Sequence, residues 1–146
     1  MEVSKPILAI DYGDKRFGLA ISDSKGLIAS PLKVLEITKN RGQNELIEDI
    51  LEIIEEYRIK SILIGKPQMF EKQYEKTLKK IDKFVTKLSS QTTLPIFFQD
   101  ESYSTTQAQN MLLSLGQNSK SSKGKIDMIS ATVFLQDFLN SVNSNK

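Results

Sequence analysis

The chain contains no cysteine and no histidine, and these two absences exclude most familiar routes to hydrolysis. Thiol nucleophiles, Ser-His-Asp triads and ordinary zinc sites each need a thiolate or an imidazole. A surplus of charge of one sign is also lacking. Twenty Lys and Arg against 18 Asp and Glu leave a net charge of +2, so any contact with nucleic acid must come from local clustering rather than from the whole surface. No stretch approaches the roughly 20 apolar residues of a membrane span, and Met1-Glu2-Val3-Ser4-Lys5-Pro6 has no signal-peptide apolar region. The expectation is a soluble, cytoplasmic protein with no membrane partner. At 146 residues the chain has the usual size of one domain, long enough to bury a core, and reads as a single domain over 1–146. Carboxylates, lysines, tyrosines and hydroxyls remain for chemistry.

The most informative segment runs from Ile7 to Asp23. Ile7-Leu8-Ala9-Ile10 is an unbroken apolar run, suited to a central strand buried on both faces, and it delivers Asp11 to a turn interrupted by Gly13. Gly13 and Gly18 allow a tight turn and close approach of a phosphate or metal to the backbone. A second strand then returns through Phe17 to Ile21. Leu27 to Leu35 reads as a third strand, with Pro31 marking an edge or a bulge.

Helical spacing takes over at Asn44 to Tyr57, where Leu46, Ile47, Ile50, Leu51, Ile53 and Ile54 lie inward and a row of acids lies outside. Ser61 to Ile64 is a short buried strand ending in Gly65-Lys66-Pro67. Tyr74 to Leu88 is a Lys-rich helix, and Pro95 to Asp100 is a further strand. Ser104 to Gln107 has capping-box spacing before a helix from Gln107 to Leu115, and Lys125 to Val142 is a final helix. The polar stretch Gly116 to Gly124 reads as a mobile loop, and the Asn/Ser-rich tail from Asn140 to Lys146 as a fraying end. The order βββ then αβαβαα predicts an α/β fold.

Parallel crossovers bring the carboxyl ends of neighbouring strands to one rim, where ligands of open α/β sheets bind. Asp11 ends the first strand and Asp100-Glu101 ends the last. Asp127 opens the final helix on the stripe of Ala131, Phe134 and Phe138, which should press on the sheet. Clustered carboxylates repel unless a cation sits among them, and oxygen-only ligands with open positions suit Mg²⁺ or Mn²⁺ shared with phosphates. Such a site can bind two metals for phosphodiester hydrolysis. Each acid also has a plainer reading: Asp127 as a complement to the helix dipole, Asp100 as a turn residue. Lys15 and Arg16 serve either as solvated hairpin charges or as phosphate-steering groups. Lys120, Lys123 and Lys125, just before Asp127, serve either as solubilising charge or as contacts to a nucleic-acid backbone.

Asp11-Tyr12-Gly13-Asp14-Lys15-Arg16-Phe17-Gly18-Leu19-Ala20-Ile21-Ser22-Asp23 resembles the D-x-G-x-K-R-x-G-x-A-x-S-D signature of the YqgF (RuvX) family of RNase H-like nucleases. Three later landmarks follow in that family's order. Ile64-Gly65-Lys66-Pro67 resembles its V-G-x-P strand end, Asp100-Glu101 with Ser104, Thr105 and Ala108 resembles D-E-x-x-[ST]-[ST]-x-x-A, and Ile126-Asp127 with Ala131 and Leu135-Gln136 resembles D-x-x-A-A-x-x-L-Q. The likeness spans Pro6 to Asn140. It implies an RNase H-like fold, a mixed five-stranded sheet flanked by helices. It further implies a divalent metal, Mg or Mn, held by Asp11, Glu101 and Asp127, with Asp100 beside them. Gly13, Lys15, Arg16, Lys66, Ser104, Thr105, Lys120, Lys123 and Lys125 are the candidates for contact with nucleic acid. The implied activity is maturation of the 5′ end of pre-16S rRNA, or Holliday junction resolution, by a monomer or homodimer. Ser102, where the family usually has a basic residue, and the shortened Gln68-Met69-Phe70-Glu71 depart from the pattern at substrate-contacting positions.

Two rival readings follow from the same residues. Sugar and acetate kinases of the actin type also place D-x-G-x-x-x-x-G after a strand, but they need two such domains, and no second glycine-rich acidic loop follows Pro95 to Asp100. A non-catalytic module binding RNA or the transcription machinery would keep the fold without turnover, and it is opposed by the presence of all three candidate ligands.

Overall fold

The apolar run that opens the chain becomes the centre of a sheet. The computed structural model describes residues 2–66, 75–100 and 123–144, and only the backbone of residues 123–127 and 144. Within these, β1 (Ile7–Asp11), β2 (Arg16–Ser22) and β3 (Ala29–Glu36) precede α1 (Gln43–Glu56), β4 (Ser61–Lys66), α2 (Glu75–Ser89), β5 (Ile96–Asp100) and α3 (Lys123–Ser144). The strands form one sheet in the order β3-β2-β1-β4-β5. β2 is antiparallel to both its neighbours, whereas β1, β4 and β5 run parallel. The expected mixed five-stranded sheet flanked by helices is therefore present.

All five residues of β1 are buried, and they alternate between two cores. Leu8 and Ile10 pack with Phe17, Leu46, Ile50, Ile62, Ile64, Ile81 and Phe84 on the side covered by α1 and α2. Ile7 and Ala9 pack with Ala20, Leu63, Ala131, Phe134 and Phe138 on the side covered by α3. A strand sandwiched between helices must be apolar on both faces, which is why Ile7 to Ile10 lacks polar alternation. Phe17, Phe84 and Phe134 are almost fully buried, and truncating any of them to alanine should cost about 3–5 kcal/mol. α1 begins where the Gly42 N–H donates to the Glu45 carboxylate at 3.0 Å, satisfying one of the amides left over at a helix start.

Several boundaries differ from expectation for physical reasons. The third strand starts at Ala29 rather than Leu27. The Asp23 carboxylate accepts the Leu27 and Ile28 N–H groups at 2.7 and 3.0 Å, holding both residues in the turn. Pro31 does sit at an irregularity, for the β2–β3 register slips between Leu19↔Lys33 and Ala20↔Pro31. The final helix begins at Lys123, so Lys123 and Gly124 belong to it rather than to a loop. It continues past Asn140 to Ser144, where Val142 joins the core and the Asn143 amide donates to the Gly26 carbonyl at 3.0 Å. The segment read as a fraying tail is thus a docked helix end as far as Ser144. The expected helix Gln107 to Leu115 and the loop residues 116–122 lie outside the described residues, as do Gln68 to Glu71.

Candidate metal and nucleic-acid site

Asp11 is the buried carboxylate of the described structure, with 9% of its surface exposed. It ends β1 opposite Gly18 of β2, while Ile10 beside it pairs with Ile64 of β4. By strand alternation its side chain follows Ile7 and Ala9 onto the α3 face. Arg16, half-buried, falls on the same face, because Phe17 and Leu19 take the opposite one.

α3 is fastened to the sheet at the end away from Asp11. The Gln136 side-chain amide donates to the Leu27 carbonyl at 3.0 Å, and its oxygen accepts the Ala29 N–H at 2.9 Å. Ala29 pairs with Ser22, four residues along β2 from Gly18, a distance of about 13 Å at the usual strand rise. Nine residues of helix from Gln136 back to Asp127 also cover about 13 Å. The two lengths agree, so a helix running along the strands would bring position 127 level with Asp11. Position 127 also lies one turn before Ala131, which packs on the sheet.

The turn between Asp11 and β2 is tightly closed. A Cβ added at Gly13 would stand 2.6 Å from the Arg16 carbonyl oxygen, closer than any side chain tolerates. Tyr12 pins the turn from the other side, with its ring 5.1 Å from Phe17 and 5.4 Å from Phe84. Burial, and secondarily Asp14, raise its phenol above the ordinary value. Sequence reasoning passed over Tyr12, although alternation required the residue after Asp11 to face the α1 and α2 core.

The remaining candidates distribute as follows. Asp100 ends β5 opposite Lys66 at the same rim as Asp11. However, Ile96 packs toward α1 and α2 and Phe97 toward α3, so alternation sends Asp100 to the face opposite Asp11. The strands do not bring these two acids together as neighbouring ligands. Lys66 is engaged on that second face, 4.0 Å above the Phe98 ring and 3.7 Å from Asp82 of α2. Lys15 is exposed, and its carbonyl accepts the Ile37 N–H at 2.8 Å. Lys123, Lys125 and Asp127 lie on the first turns of α3, with side chains outside the described set. Glu101, Ser104, Thr105 and Lys120 lie outside the described residues. Among the described residues no group of three acidic side chains is placed to hold a metal ion, and no helix is long and apolar enough to cross a membrane.

Comparison with known proteins gives results in sequence and in structure. The family model described as RuvX, Holliday junction resolvase, matches residues 5–141. A protein of Rickettsia typhi provisionally named pre-16S rRNA nuclease is 35% identical over 139 residues, covering 95% of this chain and 87% of its own. A protein of Roseiflexus sp. with the same name is 30% identical over 135 residues, covering 92% and 94%. Among solved structures, Thermus thermophilus RuvC in complex with a Holliday junction matches with a TM-score of 0.63 at 12% identity, covering 94% of this chain and 95% of the other. Fowlpox virus resolvase bound to Holliday junction DNA matches with 0.57 at 12% identity, covering 94% and 99%. Likeness at such identity concerns the fold, which is RNase H-like.

Proposed function

Because the chain belongs to the RuvX family, we propose that it is a divalent-metal-dependent nuclease that hydrolyses phosphodiester bonds, with the 5′ end of pre-16S rRNA as its preferred target. The observation carrying this reading is the buried Asp11 carboxylate, held at the strand rim on the sheet face against which α3 packs. A carboxylate at the carboxyl end of a central strand presents oxygen donors at the rim where ligands of open α/β sheets bind. Names of the sequence relatives favour precursor rRNA over other nucleic acids.

The donor chemistry fits a hard cation, since carboxylate oxygens without thiolate or imidazole suit Mg²⁺ or Mn²⁺. Asp11, Glu101 and Asp127 are the residues that would hold it. Of the two adjacent acids, alternation along β5 sends Asp100 to the other face, and the family resemblance selects Glu101. When bound, divalent cations polarise the phosphodiester, lower the pKa of water and stabilise the leaving oxygen. The chain itself supplies the rest. Gly18, opposite Asp11, leaves only a hydrogen beside the carboxylate, and the Tyr12 pin fixes the turn that carries it. Arg16, on the same face, and Lys15 at the turn offer positive charge to a phosphate.

A Holliday junction is the second substrate reading, resting on the description of the matching family. The test is a cleavage panel of precursor rRNA, single strands and four-way DNA junctions, with Mg²⁺, with Mn²⁺ and with chelator. Metal-dependent cut sites at the 5′ end of the rRNA precursor are expected. Preferential junction cleavage would transfer the assignment to resolution, and binding without any cleavage would leave a non-catalytic nucleic-acid module.

A further inference from the structure

We propose that the outward face of α2 is a second nucleic-acid contact surface, which grips the phosphate backbone of the strand flanking the bond to be cleaved. The proposal rests on the nuclease reading above and adds a surface outside the carboxylate rim. α2 holds Lys76, Lys79, Lys80, Lys83 and Lys87 against two acids, Glu75 and Asp82. At about 100° per residue the five lysines fall within roughly a third of the helix circumference. That arc lies away from Ile81, Phe84 and Leu88, which pack in the core.

Three features separate this stripe from ordinary solubilising charge. Its basic charge is segregated, for α1 on the same layer carries six acids and no Lys or Arg. It is also left largely unneutralised. Lys76, Lys79 and Lys83 make no ion pair among the described residues, and Lys87 reaches only the neutral Asn44 side chain at 3.5 Å. Finally, the stripe touches the turn that follows Asp11, from the sheet face opposite its carboxylate. Lys80 pairs at 3.0 Å with Asp14, in the turn that follows Asp11 and Gly13. Along α2, Lys76 and Lys79 precede this contact and Lys83 and Lys87 follow it.

From Lys76 to Lys87 the helix advances about 16 Å. At about 3.4 Å per phosphate along one strand, this length corresponds to some five nucleotides. Lysines act on phosphate as point charges, without reading bases, so the contact adds affinity uniformly across sequences. Asp82 lies off this arc, on the flank that faces Lys66, and so leaves the arc free of acids.

The experiment compares the full chain with the triple variant Lys76→Ala, Lys83→Ala, Lys87→Ala, and with the matching Lys→Arg triple. Lys80 is spared because its ammonium holds Asp14. Binding to labelled RNA and DNA duplexes is titrated against salt in chelator, so that cleavage does not intrude. The alanine variant should lose about two to three units from the slope of log affinity against log salt, and bind at least roughly tenfold more weakly at low salt. The arginine variant should keep the slope. An unchanged slope in the alanine variant overturns the proposal. So does a change in oligomeric mass with an unchanged slope, which would make the stripe a surface that meets the acidic α1 of a second copy. Cleavage by the unaltered chain in Mg²⁺ is read separately. Steep, lysine-dependent binding without cleavage would sink the nuclease reading and leave the surface standing.

Discussion

Asp11 stands directly across the β1–β2 ladder from Gly18, so the buried carboxylate faces a hydrogen where any other residue would place a side chain. Cross-strand partners share a face of the sheet, and here that face is the one α3 covers. The pairing leaves no side chain directly across the ladder from this carboxylate.

If Asp11 holds the cation as proposed, Asp11→Asn should lower metal-dependent cleavage by roughly a hundredfold or more, because several kcal/mol of transition-state stabilisation would depend on that cation. The circular dichroism spectrum should stay close to that of the unaltered chain, since the substitution keeps shape and volume. Near-normal turnover would remove Asp11 from the site.

Alternation along β5 places Asp100 on the face opposite Asp11. Asp100→Asn should cleave at close to the unaltered rate, whereas Glu101→Gln should lose activity about as deeply as the Asp11 variant. Single-turnover cleavage at saturating Mg²⁺ distinguishes them, and the reverse pattern would place the ligand on the other face.

At Gly13 a single methyl group meets the Arg16 carbonyl oxygen at 2.6 Å. Gly13→Ala should force the turn to shift, with a loss of about 1–3 kcal/mol in urea unfolding and a drop in cleavage. A variant as stable and active as the unaltered chain would mean that the turn is looser than its geometry implies.

Desolvation, followed by the neighbouring Asp14, raises the Tyr12 phenol above its ordinary 10.0. A folded pKa above the unfolded one means that the stabilising contribution is complete below about pH 10. It is then lost as the pH rises from that value through the folded pKa. Ultraviolet titration should show one late-ionising tyrosine that vanishes in Tyr12→Phe, and Tyr12→Phe should flatten the fall in stability on the alkaline side. If all tyrosines titrate together, the phenol is not shielded.

Gln136 ties α3 to the β2–β3 turn with two hydrogen bonds. Gln136→Ala should cost about 1–3 kcal/mol, because the partly buried Ala29 N–H loses its partner. Its denaturant midpoint should fall without a change in slope.

Much of this architecture was legible locally. The burial of β1 followed from four apolar residues in a row, α1 from the spacing of Leu46, Ile47, Ile50 and Ile53, and the irregularity at Pro31 from its missing N–H. What escaped depended on contacts between distant segments. Leu27 and Ile28 read as strand because they are apolar, whereas the Asp23 carboxylate and the Gln136 side chain hold them in the turn. The polar composition after Asn140 read as a loose end, yet Asn143 meets Gly26, 117 positions away. In the site, Asp11 stood out because a carboxylate ended an apolar strand. The engagement of Lys66 with Phe98 and Asp82 did not, because it follows from how β4, β5 and α2 pack. The side of the sheet taken by Asp100 needed the two cores to be known first.

The attachment of α3 at Gln136 has a consequence for the gene as well as for the protein. Inserting or deleting one residue between positions 127 and 136 would turn the helix start by about 100° and slide it by about 1.5 Å relative to the sheet. Position 127 would then swing off the Asp11 face, while Gln136, Phe138 and Val142 stayed where they are. Along this stretch the chain can exchange one side chain for another far more readily than it can change its count of residues. A frame-preserving indel there should therefore silence the enzyme while leaving its distal core almost unaltered.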